Sequence, residues 1–294
     1  MSRKVLVVGD VMTDVIVVPE GPIVKGSDRR ATVRSRPGGS GANQAVWLGA
    51  MGADVVFAAR VGGEDKAMYE NYFRGLGVVA VLAGDREQPS GVLVTIVDPD
   101  GERSFLTDRG ANLNLGADDL PDSLLDDIGM VMVSGYSFFA PGPRAAVQGL
   151  FAAARSRGIA VAVDPASVGF LVEVGPAQFL DWTAGATAIF ANESEAEALT
   201  GLTGYEAQMR ALGERFGTVL IKRGRLGAAL GGRGGIRIEQ SAPSVKVVDT
   251  TGAGDAFAAG FIAARLAGDD EATALGKGIA AGARAVQSIG GQPG

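Results

Sequence analysis

Short apolar runs alternate with amphipathic stretches along most of the chain. The runs are rich in β-branched residues and show no polar alternation, which is typical of strands buried on both faces of a sheet. Strands are predicted at Lys4–Gly9, Asp54–Val61, Met130–Ser134, Ile159–Val163, Ala188–Ala191, Thr218–Lys222 and Val245–Val248. Helices are predicted at Ala42–Met51, Asp65–Leu76, Pro143–Arg157, Ser194–Thr200, Tyr205–Phe216 and Asp255–Leu266. This alternation predicts an α/β fold, with a mostly parallel central sheet covered by helices on both faces.

Two regions interrupt the alternation. Thr13–Pro19 and Arg29–Ser35 have the composition of strands with no helix between them. Gly91–Thr107 has the pattern of a hairpin whose turn is Asp98-Pro99-Asp100-Gly101, and proline and glycine at these places favour a type I turn. The pattern leaves two interpretations open, a small second sheet or extra edge strands. With no linker or low-complexity tract, residues 1–294 are predicted to form a single domain.

Composition narrows the chemistry. The 294 residues include no cysteine and no histidine, which excludes disulfides, thiolate zinc sites, Ser-His-Asp triads and imidazole bases. Acid–base chemistry must therefore come from Asp, Glu, Lys, Tyr or water. The net charge of −6 and the lack of a long basic cluster argue against a nucleic-acid partner. Without an apolar run of membrane-spanning length we expect no membrane association, and a cytoplasmic location.

The run Gly252-Ala253-Gly254, followed by Asp255, is the most informative local feature. It joins a predicted strand to a predicted helix, and no large side chain would keep a ligand from the backbone. The first amides of a helix lack internal partners and carry partial positive charge, so such a turn binds anions. An anion site beside a carboxylate suits phosphoryl transfer to a hydroxyl. A purely structural turn is the alternative.

Familiar nucleotide-binding patterns are missing. The sequence contains no G-x-x-x-x-G-K-[S/T] loop, and no G-x-G-x-x-G follows the first strand. A second glycine-rich run, Pro37-Gly38-Gly39-Ser40-Gly41-Ala42-Asn43-Gln44-Ala45, precedes a helix expected to begin at Asn43. Its exposed amides are candidates for binding polyol hydroxyls.

Together the two runs resemble the paired signatures of the PfkB family of carbohydrate kinases, which includes the ribokinases. Gly39–Gly62 resembles the first signature and Asp249–Ile262 the second, in the family's order and spacing. The resemblance extends from Lys4 to about Gly291 and implies a ribokinase-like three-layer α/β/α sandwich with a small β lid. The implied activity is ATP-dependent phosphorylation of a sugar hydroxyl. A nucleoside kinase and a non-catalytic sugar- or nucleotide-binding regulator are the alternatives.

The resemblance implies a role for each matching residue of the second signature. Asp255 matches the base that accepts the hydroxyl proton, although its ordinary pKa of about 3.9 would make it a weak one. Gly252, Ala253 and Gly254 match the anion hole for the transferring phosphate. Asp249 and Thr251 match ligands of a monovalent cation such as K⁺, with further carbonyls expected near Val286–Gly291.

The implied ATP site lies between the two signatures. Asn192 and Glu195 match an N-x-x-E motif that organises Mg²⁺ and phosphate, in which Glu195 holds the metal through water. The same two residues also fit a helix N-cap with its capping-box partner, and the two interpretations are compatible. Gly224 and Gly227, next to Lys222, match a turn that borders ATP. A plain hairpin with solvated basic side chains remains the alternative there.

The implied sugar site lies on the first signature and the lid. The residues matched to it are Asp14, Gly39, Ser40, Gly41, Asn43 and Arg109. The lid would be formed by segments 13–35 and 91–109, and it often supplies a homodimer interface in relatives. Ser40 is a departure, because ribokinases commonly carry lysine at this position.

Overall fold

The computed structural model describes residues 4–98 and 103–293. The strands of this part are β1 (Lys4–Val8), β2 (Met12–Pro19), β3 (Ala31–Gly38), β4 (Asp54–Gly62), β5 (Val78–Asp85), β6 (Gly91–Val97), β7 (Arg103–Asp108), β8 (Ile128–Ser134), β9 (Ala160–Asp164), β10 (Ala188–Asn192), β11 (Thr218–Lys222), β12 (Ala228–Gly232) and β13 (Gly235–Gln240). Its helices are α1 (Ser40–Ala50), α2 (Lys66–Gly75), α3 (Pro141–Ser156), α4 (Val168–Val174), α5 (Pro176–Trp182), α6 (Glu193–Thr200), α7 (Tyr205–Gly213), α8 (Ala253–Ala267) and α9 (Glu271–Ala285).

Nine strands form the central sheet, in the order β13-β12-β11-β10-β9-β8-β1-β4-β5. Every neighbouring pair from β11 to β5 is parallel, and β12 and β13 extend the sheet as an antiparallel hairpin. The predicted mostly parallel sheet is therefore confirmed. Because parallel strands end at the same edge, the loops after β1, β8, β9, β10 and β11 meet there.

Two hydrophobic cores cover the two faces of this sheet. On β1, Val5 and Val7 point into the core formed with α1, α2, α8 and α9, whereas Leu6 and Val8 point into the core formed with α3 to α7. The alternation follows from the two-residue side-chain period of a strand. All four side chains are fully buried, as expected for a strand between two helical layers. The predicted three-layer arrangement is confirmed.

A separate four-stranded sheet, in the order β3-β2-β6-β7, settles the interpretation that the sequence left open. We call it the small sheet. The register places Asp14, Leu93 and Thr107 side by side, with Phe105 two residues away on the same face. Val33 and Leu106 lie on the opposite face. Residues 99–101 of the predicted turn at 98–101 lie outside the described residues.

One predicted strand is wrong. Val245–Val248 has strand-like composition but forms no strand, because it follows β13 beyond the edge of the sheet. The amide of Val248 donates to the carbonyl of Val286, and Val247 and Val248 are exposed. β-Propensity depends on a partner strand, and none is available to this segment. In the described part of the chain, no helix is both long and apolar enough to cross a membrane.

Candidate active site

A cavity of about 1180 Å³ opens at the carboxyl edge of the central sheet and is bounded on one side by the small sheet. Single small-molecule sites usually measure roughly 300–1,000 Å³, so this volume suits two substrates together. The predicted residues that line it are Asp14, Gly39, Ser40, Asn43, Arg109, Asn192, Glu195, Lys222, Gly224, Gly227, Thr251, Gly252, Ala253, Gly254 and Asp255. Gly41 and Asp249 are not part of the lining.

The start of α8 lies in the middle of the cavity wall. Gly252 occupies the N-cap in the left-handed region, with φ at 72°, and no side chain caps the helix. A Cβ at Gly252 would lie 2.5 Å from Gly291, so both conformation and packing require glycine. Within residues 4–98 and 103–293, the amides of Gly252, Gly254 and Asp255 have no hydrogen-bond acceptor. They are available to an anion in the cavity.

The Asp255 carboxylate lies one turn into this helix and is held by three neutral donors. Oδ1 accepts from Ser40 Oγ at 2.8 Å and from Gln44 Nε2 at 3.1 Å, and Oδ2 accepts from Asn43 Nδ2 at 3.2 Å. Burial, with a contribution from Asp164, raises the pKa of Asp255 to about 7, against the opposing effect of these hydrogen bonds and Lys222. The expectation of an ordinary pKa was wrong, and Asp255 is a better base than its residue type suggests.

The donors to Asp255 come from α1, which begins at Ser40 and not at Asn43 as predicted. Gly39 precedes it with φ at 96° and leaves it, like α8, without a side-chain cap. Gly41 packs against the end of β1: a Cβ there would lie 2.6 Å from Gly9 Cα. The predicted substrate contact at Gly41 is therefore replaced by a packing role, because this glycine lies beneath the cavity.

Asp14 and Arg109 lie on the side of the cavity nearer the small sheet. Asp14 Oδ1 is buried and has no hydrogen-bond partner among the described residues. Burial, followed by the nearby Asp10 and Asp249, raises the pKa of Asp14 to about 7. Arg109 donates to the Tyr136 carbonyl at 2.8 Å, and its guanidinium lies 5.1 Å from the centre of that tyrosine ring. Asp14 itself lines the cavity, so its carboxylate is placed to accept a hydrogen bond from a ligand hydroxyl.

On the opposite side, Asn192 and Glu195 form a complete capping box at the start of α6. Asn192 Oδ1 accepts from the Glu195 amide, and Glu195 Oε2 accepts from the Asn192 amide, both at 2.8 Å. The cap interpretation is thus confirmed. Burial raises the pKa of Glu195 to about 7, against the effect of Lys222. One carboxylate oxygen of Glu195 is not used by the cap.

Lys222, at the end of β11, forms a buried ion pair with Asp164 at the end of β9. The Nζ to Oδ2 distance is 2.7 Å, and the side chains are 13% and 6% exposed. The Lys222 ammonium also lies 3.1 Å from the place that a Cβ on Gly254 would occupy, beside the start of α8. Asp164 was not predicted from the sequence. The feature that could have indicated it is a carboxylate directly after a buried strand.

Gly224 and Gly227 bound a 3₁₀ turn that joins β11 to the antiparallel strand β12. The hairpin interpretation is therefore correct for the connection, although the turn also lines the cavity. Arg223 points elsewhere: its guanidinium lies 3.6 Å from the centre of the Tyr205 ring and pairs with Glu193 and Glu239.

Asp249 lies behind the cavity and organises the loop before α8. Its Oδ1 accepts from the Thr251 amide at 2.9 Å and hydroxyl at 2.8 Å, and its Oδ2 accepts from the Gly290 amide at 2.9 Å. The Val286 carbonyl accepts from the amides of Val248 and Asp249. The loop is thus tied to the segment from which further carbonyl ligands were expected.

Several lining residues were not predicted from the sequence. They are Asp10, Met12, Leu93, Phe105, Thr107, Tyr136, Asp164 and Phe170. Gln44, also unpredicted, is a donor to Asp255. Among them the three aromatic residues belong to different elements, so no local pattern groups them.

The fold is ribokinase-like. The chain belongs to the pfkB family of carbohydrate kinases, whose profile matches residues 2–294. The bifunctional protein HldE of Pseudomonas putida strain W619 is 32% identical over 298 residues, which cover 94% of this chain and 58% of that protein. The chain thus spans somewhat more than half the length of the curated relatives it matches.

Solved structures resemble the whole chain. A ribokinase from Arabidopsis thaliana complexed with ribose and ATP has 27% identity and a TM-score of 0.82, covering 100% of this chain and 96% of that one. The adenosine kinase from Sinorhizobium meliloti has 22% identity and a TM-score of 0.89, with the same coverage of both chains. At that identity the second likeness shows the fold alone.

Proposed function

We propose that this chain transfers the γ-phosphoryl group of ATP to a hydroxyl of a sugar, free or within a larger molecule. The observation that carries the proposal is the start of α8. Unpaired amides of Gly252 and Gly254 lie beside Asp255, whose pKa is raised to about 7. A general base is most effective when its pKa lies near the working pH.

The chemistry follows from these groups. As the acceptor oxygen bonds to the γ-phosphorus and the bond to the ADP oxygen breaks, the hydroxyl proton passes to Asp255. Ser40, Asn43 and Gln44 orient the carboxylate, which leaves its proton-accepting lone pairs in a defined direction. The amides of Gly252, Gly254 and Asp255 stabilise negative charge on the phosphoryl oxygens, whereas the Ala253 amide, predicted to join them, already donates to the Thr250 carbonyl. Phosphoryl transfer depends mainly on such positioning and electrostatic stabilisation.

For the donor half of the site we assign ATP to Asn192, Glu195, Lys222, Gly224 and Gly227. The residues present fit Mg²⁺, which usually takes one or two carboxylates, water and substrate phosphates as ligands. Glu195 would hold it through water with the oxygen that the cap leaves free. When bound, Mg²⁺ neutralises phosphate charge. The ribokinase of Arabidopsis thaliana, which is complexed with ATP, supports this assignment.

For the acceptor half we assign Asp14, Gly39, Ser40, Asn43 and Arg109, with Gly41 as support. Asp14 carries this assignment, because it lines the cavity and its carboxylate can accept a hydrogen bond from a ligand hydroxyl. We assign a monovalent cation, K⁺, to the loop of Asp249 and Thr251. Activity that is unchanged when Na⁺ or a large organic cation replaces K⁺ would contradict that part.

We also propose that the outer face of the small sheet forms a homodimer interface. Val33 and Leu106 on this face are 59% and 61% exposed. In sedimentation velocity, wild type should sediment as a dimer and Val33→Glu as a monomer. Val79→Glu, at a similarly exposed valine on the distant edge strand β5, is the matched control and should remain a dimer. A monomeric wild type at micromolar concentration would refute the interface.

The proposed reaction is tested by measuring ADP release and phosphorylated product with Mg·ATP and a panel of sugars and nucleosides. Wild type should turn over at least one acceptor, and Asp255→Asn should not. No turnover by either protein, with ATP and a sugar still bound, would favour a non-catalytic regulator. We place the reaction in the cytoplasm, where ATP is available.

A further inference from the structure

We propose that the acceptor is a sugar joined to a flat, uncharged ring system, as in a nucleoside, and that Phe105, Tyr136 and Phe170 hold that ring system. The inference rests on the proposed function, since it identifies the acceptor of the same site. The evidence for it is the set of side chains that line the cavity wall nearest the small sheet.

The three aromatic residues reach this wall from different elements. Phe105 is on β7 of the small sheet, Tyr136 follows β8, and Phe170 is on α4; all three line the cavity. Tyr136 and Phe170 contact each other edge to face, with ring centres 5.8 Å apart. Phe139 stacks on Phe170 at 5.1 Å and supports it from behind. The pair is therefore fixed in position before a ligand binds.

Phe105 lines the same cavity from the small sheet, without such support. It is 57% exposed, although it is on the cavity face of the small sheet, and it contacts no other ring among the described aromatic residues. Leu93 and Met12 continue the apolar wall beside it. An exposed aromatic side chain on the wall of a cavity that also contains fixed rings is suited to cover a planar ligand. A bare sugar, with hydroxyls on every side, would leave these rings without a flat partner.

The charges on this wall disfavour a phosphorylated sugar. Asp10 and Asp14 both line it, and Arg109 is its single cation among the described lining residues of that half. Arg109 is already occupied by the Tyr136 carbonyl and ring. Arg36, the neighbour of Asp14 across the strand pair, donates to the Ile289 carbonyl and is not part of the lining. A phosphate dianion would meet two carboxylates and a single cation here, so the local charge disfavours it.

The experiment compares acceptors and variants in one assay. With Mg·ATP, initial rates are measured for adenosine, cytidine, ribose, fructose, ribose 5-phosphate and fructose 6-phosphate. Stacking on aromatic side chains affects nucleobase affinity by about 5- to 150-fold, so we expect kcat/KM for the better nucleoside to exceed that for ribose at least about tenfold. Sugar phosphates should be the poorest acceptors.

Two variants locate the effect. Phe105→Ala and Phe170→Ala should each raise KM for the nucleoside about tenfold and change KM for ribose less than about twofold. Val79→Ala is the matched control, because Val79 is similarly exposed at 62% and lies on the distant edge strand β5, outside the cavity lining and the proposed dimer interface. It should leave both KM values unchanged. Equal effects of Phe105→Ala on ribose and nucleoside would overturn the inference.

Calorimetric binding of adenosine and of ribose to Asp255→Asn separates this inference from the proposed reaction. If wild type turns over no acceptor, but nucleoside binds and Phe170→Ala weakens that binding, the proposed reaction is refuted and the ring site is supported. Efficient turnover of a free or phosphorylated sugar, with nucleosides inert, would overturn the ring site and keep the reaction. Neither binding nor turnover of any acceptor would overturn both.

Discussion

The helices α6 and α8 both begin at the cavity, but they begin in opposite ways. At α6, the side chains of Asn192 and Glu195 satisfy each other's amides in a capping box. At α8, the N-cap is Gly252, no side chain caps the helix, and the amides of Gly254 and Asp255 have no acceptor. At a capped helix start the first amides already have acceptors within the protein, whereas at an uncapped start they can donate hydrogen bonds to a ligand. The comparison supports the proposal that α8 is the part of the site that binds the transferring anion.

The largest expected effect comes from removing the carboxylate at α8. Asp255→Asn should lower kcat about 10²- to 10⁴-fold, the usual range for loss of a general base, while circular dichroism shows a retained fold. Loss below tenfold would contradict the assigned role.

The same carboxylate predicts a pH dependence. Asp255 acts as a base only when deprotonated, and its pKa is raised to about 7. Activity should therefore rise with pH, with kcat/KM increasing roughly tenfold from pH 6 to pH 8. Since the pKa of Glu195 is raised to a similar value, Glu195→Gln is the control and should retain this dependence. A flat wild-type profile over this range would refute the assignment.

A second prediction concerns the charge pair beside α8. Asp164→Asn would leave the buried Lys222 ammonium without its 2.7 Å partner. Breaking a buried pair on one side costs about 3–5 kcal/mol in the free energy of unfolding, because one charge remains uncompensated. Urea denaturation should show this loss, and the double variant Asp164→Leu with Lys222→Met should recover most of it.

The double variant also distinguishes stability from function. Without the ammonium next to Gly254, it should fold stably and still lose activity. Recovery of both stability and activity would show that Lys222 has no role at the anion site. A cost below about 1 kcal/mol for Asp164→Asn would show that Lys222 finds another partner, for which Glu195 is the nearest candidate.

Much of the fold could be predicted because its buried strands carry their own signal. Uninterrupted β-branched runs such as Thr218–Lys222 coincide with observed strands. Strands β5 and β13 were missed, although Val78–Asp85 begins with an apolar run and Gly235–Gln240 alternates apolar and polar residues. Strand β12 was also missed, since Ala228–Gly232 is made only of alanine, leucine and glycine. Helix α9 was missed for a related reason: alanine and glycine dominate its sequence, in which only Leu275 and Ile279 are large and apolar, and it packs closely against α8, where Gly260 and Gly278 lie together. Small residues that serve close packing weaken the patterns on which prediction depends.

The candidate site likewise contains some features that the sequence predicts and others that it does not. The glycine turns and Asp255 are local features, so the sequence alone indicated the start of α8. Asp164 and Lys222 are separated by 58 positions, and only the order of β9, β10 and β11 in the sheet brings them together. The raised pKa of Asp255 was also beyond prediction, because it arises from burial and from Asp164. Ser40 is informative in retrospect: at the position where ribokinases commonly carry lysine, it is a neutral donor to Asp255.

The smallest expected effect tests the capped start of α6, where structural and ligand-binding roles overlap. Asn192→Ala removes the cap oxygen and should lower the free energy of unfolding by about 1 kcal/mol. Glu195→Gln is the matched variant, because glutamine also completes a capping box and only the charge is lost. Its stability should stay near that of wild type, while the Mg²⁺ concentration needed for half-maximal rate increases. If Glu195→Gln lost stability as Asn192→Ala does and kept its Mg²⁺ dependence, the capping box would be the whole role of α6. The contrast with α8 would then be complete, since one helix start would serve only the fold and the other the reaction.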